Sequence, residues 1–520
     1  MDESQITYLV LAGAVVLFVS GKVPVALVAV GVSLSLWATD VLELDQALAG
    51  FGDPTVLFIA ALFVVADSLE STGVTAWIGQ QMLARAGNGR ARIVAIVMVV
   101  CAVITAFITP NASVAALIPA VVVISIRTRL PASQLLMPLA FGAHAGALLA
   151  LTGSPVNVLV SEAGEESGAG GFGFFSFALV GIPLLIGSVV IAAFLGSRVL
   201  PSRSGRSMPR DFSSLASTLL REYELEHDVD DLFTRKKGVA EVVVPPRSPL
   251  VGQKVFRGMV TESGELIVIG IGRDGEDLGH RDVELRAGDS LLLRGTWEAL
   301  DRQIDDEVLT VDEPDAVRRQ VVALGLGAKE AMIVLAAMVA LLITGAVPPA
   351  VAGLLAAGAL VLLGVTTMER AYRAISWTTV ILVAGMIPLS TAMQTSGAAG
   401  EIADLLVDIV GDSGPRILLI ALFVLVAVLG QLISNTATAL IVIPIAISAA
   451  AELDVSPRPV LMAVNVAATA ALLTPVATPA NMMVMEPGGY RFGDYWRLGL
   501  PLLAWFFVVA VFVTPLIWRF

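Results

Sequence analysis

The sequence holds one cysteine, Cys101, in 520 residues, so no intramolecular disulfide can form and thiols give no clue to compartment. Charge is scarce as well. Asp, Glu, Lys and Arg make up 15% of the chain against 56% hydrophobic residues, and a mean hydropathy of +0.85 lies far from a soluble balance. Most of the chain must have lipid as its solvent, as in a polytopic membrane protein. Cations are the scarcer sign, 32 against 45 anions for a net charge of −13, which argues against nucleic acid as a partner. The start, "MDESQITYLV", is acidic, so residues 5–20 are expected as a retained first span.

Long apolar runs are what the chain does have. A membrane helix takes about 20 mostly apolar residues, and segments near that length fall at 5–20, 23–40, 54–72, 91–126 (a hairpin), 132–160, 173–197, 329–346, 350–366, 376–396 and 497–518. Two polar-interrupted stretches, 415–451 and 458–485, complete the second half. The hydrophobic signal disappears between 198 and 328, where "GVAEVVVPP", "ELIVIGIGRDGEDL" and "DSLLLRGTWEALDRQ" read as short strands, turns and a closing helix. The expected organisation is a first transmembrane repeat over 1–200, a soluble domain over 211–317 and a second transmembrane repeat over 325–520.

Three anchors share one spacing of 324 positions: Gly73 with Gly397, Asn111 with Asn435, and "GSPVN" (153–157) with "ATPAN" (477–481). Charge sets the hand of the relation. Arg85, Arg90, Arg92, Arg127 and Arg129 flank the first hairpin, which is expected to enter from the cytoplasm. Glu401, Asp404, Asp408, Asp412, Glu452 and Asp454 flank the second, which is expected to enter from outside. Counting spans puts both termini outside and the insert inside, beside Arg198, Arg203, Arg206, Arg318, Arg319 and Lys329. The fold class expected is an all-α polytopic membrane protein with two inverted repeats, re-entrant hairpins and broken helices, and a small α+β cytosolic domain inserted between the repeats.

Irregular backbone survives in hydrocarbon only where it is buried in protein or lines a cavity. "TPNAS" (109–113) and "SNTAT" (434–438) are expected at the two hairpin tips, and the "GSPVN" and "ATPAN" stretches at breaks in two crossing helices. Pro155 and Pro479 suit the first position of a restarted helix, with Ser154 and Thr478 as N-caps. A restarted helix presents N–H groups to an anion, and the half-helix before it presents carbonyls to a cation. No Lys or Arg occurs over 93–125 or 417–451, so a divalent anion there would rely on amides, hydroxyls, helix dipoles and co-bound cations. Substrate contacts are expected from Asn111, Ser113, Ser154, Asn157, Asn435, Thr436, Thr478 and Asn481.

"SNTAT", "ATPANMMVMEPGGYRFGDYWRLGLPL" (477–502) and the duplicated "GSPVN" resemble the divalent anion:sodium symporters of solute carrier 13 type, in the ion transporter superfamily, over 5–197 and 329–518. "AEVVVPPRSPLVGQKV" and "VELRAGDSLLLRGTWEAL" resemble a TrkA-C (RCK C-terminal) domain, for which an unknown small ligand is expected. The resemblance implies a sodium-coupled symporter of a small divalent anion, sulfate or dicarboxylate, with an elevator-type cycle. It implies a homodimer in a prokaryotic plasma membrane and no cofactor beyond sodium as coupling ion; an enzyme is not expected, since no metal triad or nucleophile-base set is readable in the apolar segments. Sodium sites are implied at Ser434, Asn435 and Ala477, and at Thr109, Asn111 and Gly153. The family's first motif is normally Ser-Asn-Thr. Here Pro110-Asn111-Ala112 keeps only Asn111, with Thr109 and Ser113 left to substitute.

Other readings stay open at this stage. His144, in "AFGAHAGALL", is ionisable and near the membrane interior, readable as a proton site or as a satisfied packing histidine. A proton-coupled carrier or cation/proton antiporter of the same superfamily competes with the symporter. An RCK-gated channel is disfavoured by the lack of a "TVGYG"-type filter. Asp67 and Glu70 are expected at the cytoplasmic interface, "GIGRDG" (270–275) as a strand turn, and "HDVDDLF" and "IDDEV" as solvated faces.

Overall fold

The computed structural model describes residues 2–520 apart from 86, 88, 204–214, 224–231, 235, 262–263, 274–275, 280–281, 298, 301–308, 312–323 and 411–413. Two compact units result: Met1–Asp67, Gln81–Met208 and Ile333–Phe520 form one, Ser68–Gln80 and Pro209–Met332 the other. The expected domain, 211–317, falls within the second. That unit also takes in 68–80, because the carbonyls of Thr72 and Gly73 accept the N–H groups of Gly325 (2.8 Å) and Leu324 (3.5 Å). Arg206, Arg318, Arg319, Asp412 and "IDDEV" lie outside the described residues, as does most of "HDVDDLF".

In the first half, helices α1 (Glu3–Ser20), α2 (Val25–Ala38) and α3 (Pro54–Ser71) are followed by a hairpin of α4 (Arg90–Thr105) and α5 (Pro110–Thr128). A helix broken into α6 (Leu136–Gly146) and α7 (Pro155–Glu166) comes next, then α8 (Ala178–Val199). The second half runs through α9 (Ala328–Thr344), α10 (Pro349–Leu362), α11 (Trp377–Thr395), a hairpin of α12 (Pro415–Leu429) and α13 (Asn435–Glu452), broken α14 (Pro457–Thr469) and α15 (Pro479–Met485), and α16 (Tyr495–Val508). Among the described residues seven helices are long and apolar enough to cross a membrane. The half-helices are not. Eleven residues in α6 span only about 16 Å at ~1.5 Å per residue.

Each broken helix is covered by its closing helix through a glycine. A Cβ at Gly181 of α8 would lie 2.1 Å from the Leu148 carbonyl oxygen, and one at Gly499 of α16 would lie 2.1 Å from that of Leu472. Only a residue without a side chain permits that approach to the backbone just ahead of each break. Elsewhere the apolar faces close by ordinary packing, with Ser33 of α2 donating to the Gly385 carbonyl of α11 at 3.0 Å. Asp67, expected to reach the interface, is part-buried and paired with Arg370 at 3.2 Å. Where the chain leaves α8, Arg203 meets buried Asp494 at 2.9 Å.

In the second unit, β1 (Lys237–Val243), β3 (Leu266–Arg273), β4 (Glu276–Asp277), β6 (Ser290–Thr296) and β7 (Leu309–Thr310) form an antiparallel sheet of order β4-β3-β6-β1-β7. A second sheet pairs β2 (Lys254–Val255) with β5 (Val283–Glu284). Alternation puts Val242, Val268, Leu291, Leu293 and Trp297 into one core. "GIGRDG" ends β3 and the chain turns back into β4, pairing Arg273 with Glu276; Asp274 and Gly275 lie outside the described residues. Arg273 grips Asp289 through two hydrogen bonds of 2.7 Å, and the Arg286 N–H adds a third at 2.8 Å. Burial pushes the Asp289 carboxyl up, but these donors outweigh it and hold the group below its ordinary value. Burial also pushes up the Tyr223 hydroxyl, which bonds Glu241 and Ser290.

Candidate functional site

Four helices restart next to polar sequence, and each starts on a hydroxyl. Thr109 accepts the Ala112 N–H (3.5 Å), Ser154 that of Val156 (3.2 Å), Ser434 that of Ala437 (3.3 Å) and Thr478 that of Asn481 (3.3 Å). Each cap satisfies an amide that hydrocarbon could not. Ser113 and Thr438 then donate back to the cap carbonyls of Thr109 and Ser434, at 3.0 and 3.1 Å.

The two tips are not equivalent. A proline cannot supply a capping oxygen, so with Pro110 in the motif the first cap moves back to Thr109. Asn111 is thereby the second residue of α5, whereas Asn435 is the first residue of α13. At 3.6 residues per turn the two side chains point about 100° apart around their helices. Matched by their caps, Pro110 stands where the second tip has Asn435, and Asn111 where it has Thr436. Asn111 Oδ1 accepts the Ala480 N–H at 3.1 Å, which docks the first tip on the second break. Asn435 Oδ1 is buried with no hydrogen-bond partner, and the same holds for Thr474 Oγ1 and Asn465 Oδ1. Among the described residues the N–H groups of Asn435 and Thr436 also carry no hydrogen bond. An orphaned acceptor therefore sits beside two unspent donors at the positive end of an 18-residue helix.

The breaks are more closed. Asn157 Nδ2 donates to the carbonyls of Ala147 (2.7 Å) and Ala150 (2.8 Å), and Asn481 Nδ2 to those of Ala471 (2.8 Å) and Thr474 (3.0 Å). Both carbonyl pairs keep the 324-residue spacing of the asparagines. His144 Nε2 lies 3.1 Å from Asn481 Oδ1 and 3.4 Å from Thr478 Oγ1. Gly153 closes a short 3₁₀ turn ahead of Ser154, and Ala477 is buried just before Thr478. Each hairpin is also tied to the break of its own half. Thr152 donates to the Ala106 carbonyl (2.7 Å), while Gln431 accepts the Leu473 N–H (3.1 Å) and donates to the Ala470 carbonyl (3.4 Å).

Sequence reasoning missed Gln431, Asn465 and Thr474. Asn465 carried a readable signal, a lone amide in the apolar run "VLMAVNVAATA". The other two had none apart from the tertiary contact itself. A cavity of about 280 Å³ is lined by Asp53, Glu162, Glu166, Gln394 and Leu440 among others. Its carboxylates make it a poor place for a divalent anion.

The citrate transporter family profile (CitMHS) matches residues 15–453 and 407–520. The uncharacterized transporter YfbS of Escherichia coli (strain K12) is 30% identical over 98% of both chains. The probable sodium/sulfate cotransporter 3 of Chlamydomonas reinhardtii is 27% identical over 53% of this chain and 32% of its own length. In fold, the chain is similar to the crystal structure of the YdaH transporter of Alcanivorax borkumensis, with a TM-score of 0.51, 14% identity and coverage of 97% and 98% of the two chains. With its helices apolar and its profile match running through both halves, the chain belongs to the citrate transporter family and is a multi-pass membrane transport protein.

Proposed function

We propose that the protein is a secondary active symporter that carries a small divalent anion, sulfate as the first candidate and dicarboxylates as the second, together with sodium. The observation that carries this reading is the second hairpin tip, where the buried Asn435 Oδ1 has no partner beside the unspent N–H groups of Asn435 and Thr436. A buried acceptor without a partner costs about 1–3 kcal/mol, and a hard cation with oxygen ligands would relieve that cost. An anion then takes the N–H groups, and each ion lowers the cost of the other. The sodium/sulfate name of one relative supports the choice of ions.

Sodium fits the second tip and not the first. Pro110 and Ala112 have no side-chain oxygen, Ser113 bonds the Thr109 carbonyl, and Asn111 Oδ1 holds the Ala480 N–H, whereas Asn435 Oδ1 is without a partner. The cation therefore belongs with Ser434, Asn435 and Ala477. The anion belongs with Asn435, Thr436 and the hydroxyls of Ser154 and Thr478, while Asn157 and Asn481, whose side-chain amides are fully committed, shape the breaks behind it. Two inverted repeats moving in an elevator-type cycle complete the reading. The matched carbonyl pairs at the breaks and the approach of Gly181 and Gly499 to the Leu148 and Leu472 carbonyls support the repeat, while the inversion rests on loop charge and the elevator-type cycle on sequence resemblance. The homodimer, the prokaryotic plasma membrane, the outside termini and a cytosolic TrkA-C-like regulatory insert rest on sequence resemblance and loop charge.

Uptake of labelled sulfate, succinate and phosphate by the purified protein in proteoliposomes tests the substrate class. Saturable sulfate uptake that needs external sodium is expected. Sodium-independent uptake, or a flux that rises linearly with anion concentration, would reject it.

A further inference from the structure

The helices that follow the two breaks, α7 and α15, each carry one asparagine that is held from the opposite half of the chain. Both N–H bonds of the Asn481 side-chain amide go to the carbonyls of Ala471 and Thr474, which fixes the orientation of the group and points Oδ1 at His144. Two acceptors cannot bond, so His144 Nε2 must carry a hydrogen. The same holds at the other break. Asn157 Nδ2 is committed to Ala147 and Ala150, and Asn157 Oδ1 accepts from Asn465 Nδ2 at 2.9 Å.

The two donors come from matching places. His144 lies on α6 and Asn465 on α14, the half-helices that precede the two breaks. Asn465 sits one turn before Ala468, the residue 324 positions beyond His144. All four groups are inside the protein: His144 is 2% exposed, and Asn157, Asn465 and Asn481 are 0% exposed. Asn465 holds its place at a cost, since its own Oδ1 is buried without a partner. An alanine there would leave no such orphan, so the donation to Asn157 is the feature that the asparagine supplies. The hydrogen-bond partners of His144, Asn481 and Thr478, are neutral. An imidazolium there would be a buried charge with no bonded counter-ion.

We propose that His144 and Asn465 are positioning residues that donate across the two halves to fix Asn481 and Asn157, so that both breaks hold their shape as one body and His144 acts as a neutral Nε2–H donor. The inference rests on the reading of the breaks as part of the anion site. It also removes His144 as a carrier of coupling protons. Each clasp orders the backbone that faces the anion, so its loss weakens binding more than turnover.

His144→Ala, His144→Gln and Asn465→Ala are compared with wild type in proteoliposomes, using monodisperse protein only. Losing one buried hydrogen bond should raise the KM for sulfate about tenfold with little change in maximal rate. The Gln Nε2 extends about as far as the imidazole Nε2, so His144→Gln should return KM close to wild type and keep the wild-type pH profile of uptake. A His144→Gln protein as impaired as His144→Ala, or one that loses the pH dependence of wild type, overturns the proposal. Histidine ¹⁵N spectra provide a readout that needs no substrate. His227 and His280 are the remaining histidines, and replacing both by Gln leaves His144 alone. Neutral imidazole protonated at Nε2 is expected at pH 7.5. An Nδ1–H tautomer or a doubly protonated ring contradicts the clasp. If wild type moves no sulfate, the transport reading fails on its own, and the spectrum still decides the clasp.

Discussion

Asn435→Ala should remove the stabilisation of the protein by sodium, while Asn111→Ala should leave it in place. The wild-type tip buries Asn435 Oδ1 without a partner, a penalty of about 1–3 kcal/mol when no cation is present. Deleting that oxygen relieves the penalty, so the variant without sodium should unfold no earlier than wild type. A cation at one hundred times its Kd stabilises the folded state by about 2.7 kcal/mol. That gain requires the Asn435 oxygen and should vanish with it. Asn111→Ala instead strips the acceptor from the Ala480 N–H, now bonded at 3.1 Å, and costs about 1–3 kcal/mol with or without sodium. The assay is thermal unfolding of the purified chain in sodium chloride and in choline chloride at equal ionic strength. Because the protein has two compact units, unfolding is not treated as two-state, and the quantity read is the sodium-minus-choline shift. An Asn435→Ala protein that keeps the shift, or an Asn111→Ala protein that loses it, would refute the assignment of the cation to the second tip.

Restoring hydroxyls at the first tip with Pro110→Ser and Ala112→Thr should raise the Hill slope for sodium above that of wild type; an unchanged slope in folded protein would show that the tip cannot take a cation. Gly499→Ala drives a Cβ into the Leu472 carbonyl and should cost about 1–3 kcal/mol, read as earlier thermal unfolding with lower uptake. Asp289→Asn should weaken hydrogen-exchange protection of β3 and β6. The Asp289 carboxyl is held low in the folded state, so its contribution is present above the ordinary carboxylate value of about 3.9 and is lost as pH falls through the depressed value. The difference between wild type and variant should therefore shrink in acid. Joining the halves by a flexible linker in place of 211–317 should preserve uptake while changing its regulation, and a correctly inserted but inactive protein would count the insert as transport machinery.

Much of the architecture could be read in advance, because lipid punishes irregular backbone and forces it to announce itself. Ser154-Pro155 and Thr478-Pro479 begin helices with a hydroxyl cap and proline in the first position, as expected. The polar tips at Thr109 and Ser434 likewise open α5 and α13. The register between the tips was not legible. Matching Asn111 to Asn435 by spacing ignores that Pro110 shifts the cap by one residue, and a one-residue shift rotates a helical side chain by about 100°. The clasps were hidden for another reason. Asn465 and Asn157 are 308 residues apart, His144 and Asn481 are 337 apart, and nothing local records such a contact. The helices Val74–Arg85 and Ala398–Val410 escaped notice because they are too short or too polar to read as spans. The place of residues 68–80 in the second unit was hidden inside the apolar run that starts at Pro54.

The most direct measurement is concentrative uptake with both ions counted. Proteoliposomes loaded without sodium or sulfate are given equal labelled sulfate with an inward sodium gradient or with choline, and sodium and sulfate entry are followed together. Sulfate should rise inside above its external concentration only with the sodium gradient, with sodium entering in fixed ratio to it and both fluxes abolished in Asn435→Ala. Sulfate that only equilibrates, or that accumulates equally in choline, would contradict sodium-coupled symport.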